Sequence, residues 1–271
     1  MIFVRDKGRL CNNILQYGHV YAWGRAHGRK TMSMRFAYKY RHFHICHTRY
    51  HNFLSYLFAK YAAKWRLLPI ASFDDPDADY SKEERLMENR QTIVVEGWYA
   101  RWYDLFLKYK EEIIALFAFD DDVKKAPDRL LQLQPPCDLR IGLHIRRGDY
   151  ATWHEGRYFF TDEQYIGCLQ RYLDQHPGKK IQLFVCGNDP SLCESAYRDA
   201  FPQCQMVFPK GSASQDLYLL SQCDRLIGPP STFTLVAAMY RDLPLCWIEH
   251  PNQPMTDTAF GHFDTLFRNI K

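Results

Sequence analysis

Apolar and polar positions alternate in blocks along the second half of the chain, and the blocks predict a repeated strand–helix order. RIGLHI (140–145) reads as a buried strand and TDEQYIGCLQRYLDQH as the helix after it, with Thr161 and Gln164 at capping-box spacing. KKIQLFVCG is the next strand. NDPSLCESAYRDAF follows as a helix with Asp189 as N-cap and Pro190 at its first position. QMVFP, DRLIG and LPLCWIE are further strands, and SASQDLYLLSQC and STFTLVAAMY are the helices between them. This alternation implies a parallel sheet with right-handed crossovers, covered by helices. The first half repeats the idea less clearly. IFV is a strand, KGRLCNN a glycine-bearing turn, NILQYGHVYAWGRAHG a helix and TIVVEGW a strand, followed by an amphipathic helix near 103–119, with aromatic-rich helices in between. PDRLLQLQPPCD (127–138) carries three prolines and reads as a linker. The expected architecture is α/β: two Rossmann-like halves, 1–135 and 136–271, facing across a cleft.

Composition narrows the class. The formal charge of +4 is nearly balanced for 271 residues, so nothing announces nucleic-acid binding. Nine cysteines without a CxxC pair argue against a zinc ribbon or a disulfide framework and fit reduced thiols in cytosol. The opening MIFVRDKGRL lacks the apolar core of a signal peptide, and there is no run of 18 apolar residues. A soluble cytoplasmic protein is expected. Charge is nevertheless uneven: residues 7–73 hold twelve Lys or Arg and six His but no Asp or Glu, and an acidic stretch, DDPDADYSKEERLMENR (74–90), follows. A basic, aromatic segment suits an anionic partner, such as the inner membrane face touched peripherally or a phosphorylated acceptor. The plainer reading is a solvated basic face neutralised by the acidic segment.

The chemistry-bearing residues sit in the turns. HIRRGD, GND, PKGSAS and GPPST each follow a strand and precede a helix, and open α/β sheets bind ligands outside the carboxyl ends of their strands. Ser231 and Thr232 open a helix, whose free N–H groups attract anions. Arg146 or Arg147, from a neighbouring strand end, is placed to grip the same phosphate with a two-pronged fork. A diphosphate site follows from this layout. Several competing patterns point elsewhere. Arg147-Gly148-Asp149 spells an adhesion tripeptide, but that role needs an extracellular loop. An ion pair between Arg147 and Asp149 is the structural alternative for those two residues. His42, His44, Cys46 and His47 match no common structural zinc spacing. Asp75, Asp77, Asp79 and the run Asp120, Asp121, Asp122 imitate metal-binding DxD motifs but read as solvated turns or helix caps.

HIRRGD (144–149) resembles the HxRRxD signature shared by α-1,2-, α-1,6- and protein O-fucosyltransferases. GNDPSL (187–192) is similar to the DDPSL segment of the α-1,6 enzymes, with Asn188 in place of the first aspartate. DLYLLSQCD (216–224), with STF (231–233) after it, is similar to their third motif and to the SSF motif of the α-1,2 family. GRLCNNILQYG (8–18) resembles the GGLGNQMFQYA opening of bacterial α-1,2 enzymes and the GRFGNQ loop of protein O-fucosyltransferases. The four motifs occur in order over nearly the whole chain. The resemblance implies a GT-B-like fold and an inverting transferase that moves L-fucose from GDP-fucose to an oligosaccharide or lipid-linked glycan, without a metal or other cofactor. It places Arg146 on the β-phosphate, His144 and Asp216 near guanosine, and Ser231 and Thr232 on phosphate. Arg9 and Asn12, on the loop opened by Gly8, are expected at the diphosphate and fucose. Asp149 is expected to orient the arginines, and Asp189 and Phe233 are carried with the site, although Phe233 also reads as packing. His154 and Glu155 lie where the α-1,6 enzymes carry a glutamate base. The opening loop and compact length favour α-1,2 linkage, whereas NDPSL and DLYLLSQCD lean towards α-1,6. Pro229-Pro230 before STF and the missing tryptophan pair after it keep open a non-catalytic nucleotide-sugar or glycan-binding protein. Another GDP-sugar donor is also open.

Overall fold

The computed structural model describes residues 1–187 and 189–270; Asn188, where the likeness to DDPSL departs, lies outside them. The chain divides into two compact units, residues 1–122 and 123–271. The first runs β1 (Ile2–Arg5), α1 (Leu10–Ala26), β2 (Thr31–Ser33), α2 (Phe53–Lys64), β3 (Ile70–Ser72), α3 (Ser81–Asn89), β4 (Ile93–Glu96), α4 (Tyr103–Lys108) and α5 (Lys110–Leu116). Its four strands pair in parallel in the order β2-β1-β4-β3. β2 and β3 are not among the strands that the hydrophobic pattern predicts. Three residues show no period, and only registration against β1 and β4 makes TMS and IAS strands. The alanines Ala59 and Ala63 let α2 pack closely over Phe3, Met32 and Val94.

α6 (Asp121–Gln132) begins at the end of the first unit and runs into the second. The stretch expected as a linker is therefore helical through Gln132. Val123 and Pro127, four residues apart, bury one face of α6, and that burial outweighs the hydrogen bond which the proline forgoes. The second unit continues with β5 (Leu139–Ile145), α7 (Asp162–Leu173), β6 (Ile181–Gly187), α8 (Glu194–Ala200), β7 (Gln205–Val207), α9 (Ala213–Ser221), β8 (Arg225–Gly228), α10 (Thr232–Met239), β9 (Leu245–Trp247) and α11 (Phe263–Leu266). All five strands are parallel, in the order β7-β6-β5-β8-β9. The five strands expected from the sequence are all present, and the order reverses at β5. In such sheets the gap between the strands leaving in opposite directions, here β5 and β8, is where ligands bind. Ile141, Leu143 and Ile145 bury one side of β5 among Tyr165, Leu169, Tyr172 and Tyr197.

Local sequence fixed the helix starts at α7 and α9. Thr161 and Ser212 each cap their helix, and Gln164 and Gln215 return the bond to the cap backbone. α8 starts later than expected, at Glu194, with Cys193 before it. Asp189 does not cap it: its Oδ1 accepts from the Ser191 N–H at 2.9 Å and the Ser191 hydroxyl at 2.8 Å, which closes a separate turn.

Candidate functional site

β5 ends on His144, Ile145, Arg146 and Arg147, and successive side chains alternate sides. The two arginines accordingly have different fates. Arg147 turns to the α7 side and is buried; its Nε donates to the Phe160 carbonyl at 2.9 Å, and its other nitrogens reach Asp162 and, at 3.3 Å, Asp189. Asp162 also accepts from the Tyr197 hydroxyl at 2.8 Å. This is an ion-pair cluster inside the fold. Its acids are Asp162 and Asp189, not the Asp149 expected from the tripeptide, because Asp149 pairs with the other arginine: Arg146 Nη2 donates to Asp149 Oδ2 at 2.8 Å.

Arg146 lies on the opposite side with His144. Its guanidinium sits 5.4 Å from the Tyr150 ring centroid, and its backbone N–H donates to the Tyr165 hydroxyl at 3.3 Å. Nε is buried and has no hydrogen-bond partner among the described residues. A buried cationic donor without an acceptor is costly unless a ligand supplies one.

Two contacts bring the loop after β8 to this strand end. The Tyr150 hydroxyl donates to the Pro230 carbonyl at 2.6 Å, and the His144 ring stacks on Phe233 with centroids 4.9 Å apart and planes at 23°. Ser231 caps α10, its hydroxyl accepting from the Phe233 N–H at 3.0 Å, so that Thr232 and Phe233 begin the helix beside His144 and Arg146. Tyr150 lies outside the motif that marks this strand end in the sequence. The available signal was an aromatic residue directly after HIRRGD, where it braces the arginine and ties two loops.

Electrostatics distinguish the remaining polar groups. Burial, helped by the Arg146 charge, pushes His144 down to about 3, so the ring is neutral; its Nδ1 is buried without a partner among the described residues. Asp216, in the first turn of α9, is pushed up to about 6 by burial, and its Oδ1 also lacks a partner there. Burial, with the Asp216 charge adding to it, raises the thiol of Cys186, which lies opposite His144 in the β5–β6 register. Thus His144, Arg146, Asp216, Ser231, Thr232 and Phe233 gather at the carboxyl ends of β5, β6 and β8. Asp189 is committed to Arg147. His154 and Glu155 occupy a short exposed turn (Trp153–Gly156) in which both adopt left-handed backbone, φ 47° and 58°.

In the first unit, Gly8 opens the loop at the end of β1 with φ +92°, and a methyl there would lie 2.8 Å from the Asn12 amide nitrogen. Gln16 clasps this loop: its Nε2 donates to the Lys7 carbonyl at 2.6 Å and its Oε1 accepts from the Lys7 N–H at 3.2 Å. Arg9 precedes α1, exposed, whereas Asn12 lies within the helix, half-buried. The DxD-like and histidine-rich patterns resolve locally. Asp121 and Asp122 form the first turn of α6, His47 pairs with Asp120 at 2.8 Å, and the Cys46 thiol donates to the Tyr40 carbonyl at 2.6 Å.

Residues 85–254 match the family model described as Glycosyl transferase family 11. No curated protein matches the chain. Solved structures are similar over most of its length. A mutant of Arabidopsis thaliana FUT1 in complex with GDP is 14% identical with a TM-score of 0.68, covering 96% of this chain and 73% of that one. POFUT1 in complex with GDP-fucose is 11% identical with a TM-score of 0.62, covering 89% and 94%. NodZ α-1,6-fucosyltransferase co-crystallised with GDP is 16% identical with a TM-score of 0.60, covering 90% and 94%. The α/β fold with parallel sheets is therefore GT-B-like, as expected.

Proposed function

The chain belongs to glycosyl transferase family 11, and on that premise we propose that it is a GDP-fucose-dependent fucosyltransferase. In this reading it moves L-fucose to a hydroxyl of a glycan acceptor, in α-1,2 linkage, with inversion and without a metal. The observation that carries the proposal is Arg146: a cation held at a strand end by Asp149 and Tyr150, with Nε buried and unpaired among the described residues, beside the start of α10. Similar folds bound to GDP and to GDP-fucose support the donor class.

The chemistry suits these groups. As the acceptor oxygen bonds to the anomeric carbon, the bond from that carbon to the β-phosphate oxygen breaks, and negative charge grows on the departing GDP. A fixed guanidinium and the N–H groups opening α10 stabilise this charge as it develops, and removing one such preorganised donor typically costs about 3–4 kcal/mol of barrier. Neutral His144, with Phe233 on its face, and the Asp216 carboxylate suit the guanine edge, to which Asp216 would accept from N–H donors. His154 and Glu155 are the proposed destinations for the acceptor proton. Gly8, Arg9 and Asn12 remain proposed substrate-binding residues of the first unit. The acceptor is proposed as an oligosaccharide or lipid-linked glycan, used by a cytoplasmic enzyme touching an anionic membrane surface peripherally. The α-1,6 linkage is the alternative, favoured by the likeness of residues 188–192 and 216–224 to enzymes of that type.

Calorimetric titration with GDP, GDP-fucose and GDP-mannose in EDTA tests the donor. Binding is expected without metal, and Arg146→Ala should weaken GDP at least tenfold, about 1.4 kcal/mol. Fucose transfer to glycan acceptors, with the new linkage read by NMR, tests turnover and separates an enzyme from a binding protein. A folded chain that binds no GDP-sugar would overturn the donor assignment.

A further inference from the structure

α2 turns an apolar stripe outward. Leu54, Phe58, Tyr61 and Trp65 follow one another at helical spacing, with Phe53 beside them and Leu67 just beyond; Leu54 is 76% exposed, Phe58 60%, Trp65 65% and Leu67 70%. The helix is held to its unit by the opposite face, where Ala59, Ala62 and Ala63 are buried. Six of the eight large hydrophobic side chains exposed among the described residues lie within 53–67. Isolated surface leucines are ordinary, but a contiguous aromatic and aliphatic stripe marks an interaction surface.

Charge selects the occupant. Lys60, Lys64 and Arg66 flank the stripe, exposed, and residues 7–73 contain no acid. Of the acidic segment expected to neutralise this region, Asp74 pairs with Lys7 at 3.1 Å; Lys60, Lys64 and Arg66 form no ion pair among the described residues. Lys60 instead lies 5.7 Å from the Tyr56 and Tyr61 ring centroids. Beside the stripe is a hollow of about 570 Å³ whose lining includes Phe3, Tyr50, Leu54 and Phe58, with Lys30 among the residues around it. A helix with Leu, Phe, Tyr and Trp on one face and unneutralised lysines at its margins has the chemistry of the acyl–headgroup boundary: apolar rings sink below the headgroups while lysines meet anionic phosphates. Among the described residues no helix is long and apolar enough to cross a membrane, so this contact would lie along the surface.

We propose that α2 and the segment through Leu67 dock the protein onto an anionic lipid bilayer, the stripe lying in the interfacial plane and Lys60, Lys64 and Arg66 facing the headgroups. This deepens the peripheral membrane contact proposed above and rests on that reading, but not on the identity of the donor. Flotation of the full chain with vesicles tests it, using phosphatidylcholine alone and phosphatidylcholine mixed with phosphatidylglycerol. Binding to the mixed vesicles is expected, about tenfold weaker to phosphatidylcholine alone and weakened by added salt. Replacing both Leu54 and Trp65 by Ser should lower it at least about tenfold, as should replacing both Lys60 and Lys64 by Glu. Each variant should retain wild-type GDP affinity, which separates a lost surface from a lost fold. Four results would overturn the inference: no flotation of folded protein, binding indifferent to both double variants, binding indifferent to headgroup charge, or self-association in sedimentation that needs Trp65 without vesicle binding. Vesicle binding without GDP binding would leave it standing while the donor assignment fell.

Discussion

Arg146 and Arg147 are chemically identical neighbours with opposite placements. Arg147 joins two carboxylates and a carbonyl in a buried cluster, so Arg147→Ala strands Asp162 and Asp189 without their cation. Breaking a buried ion pair in this way costs about 3–5 kcal/mol. The expected outcome is a markedly lower urea midpoint, whereas Arg146→Ala, which removes an ion pair to the half-exposed Asp149, should change the midpoint far less and act on GDP. Asp216 supplies a pH signature. In the proposed guanine site only the ionised carboxylate offers both oxygens as acceptors to two N–H donors, and burial raises its pKa to about 6. As pH falls from 7 to 5 the charged fraction drops to roughly one in ten, so GDP affinity should weaken about tenfold. Titrations of Asp216→Asn across the same range isolate the effect: the variant keeps the ligand's own phosphate titration but loses this component. A variant with the wild-type pH profile would remove Asp216 from the guanine site.

Among the elements, α9 shows how local sequence supports the site. Its capping box, Ser212 with Gln215, fixes the turn that carries Asp216. Ser212→Ala should cost about 1 kcal/mol of stability, read as a lowered denaturant midpoint with an unchanged slope. The boxes at Thr161 and Ser212 are four-residue signals and could be read directly. β2 and β3 could not, since three residues carry no usable period and their pairing is decided by β1 and β4. α8 and α6 differed from expectation for related reasons. The carboxylate of Asp189 is drawn to Arg147 and Ser191 rather than to a helix start, and Pro127 is held within a helix by the face it buries with Val123.

For the molecule as a whole, a ligand that binds only the folded state must stabilise it. GDP at a hundredfold excess over its Kd should add about 2.7 kcal/mol, visible as a rise in melting temperature for wild type and, at the same concentration, a much smaller rise for Arg146→Ala. The sequence by itself determined the alternation of strands and helices in the second unit, the capped starts of α7 and α9, and the clustering of HIRRGD, PKGSAS and GPPST at strand ends. These signals are local in the chain: periodicity, turn chemistry and the placement of charge between apolar runs. Tertiary structure decided which arginine is buried in an ion-pair cluster, that Tyr150 braces the other, that Asp149 and Asp189 serve different partners, and that α2 shows its aromatic stripe to solvent. Those outcomes depend on the alternation of sides at the end of β5 and on which helix packs against which face, and both are set by residues far apart in sequence.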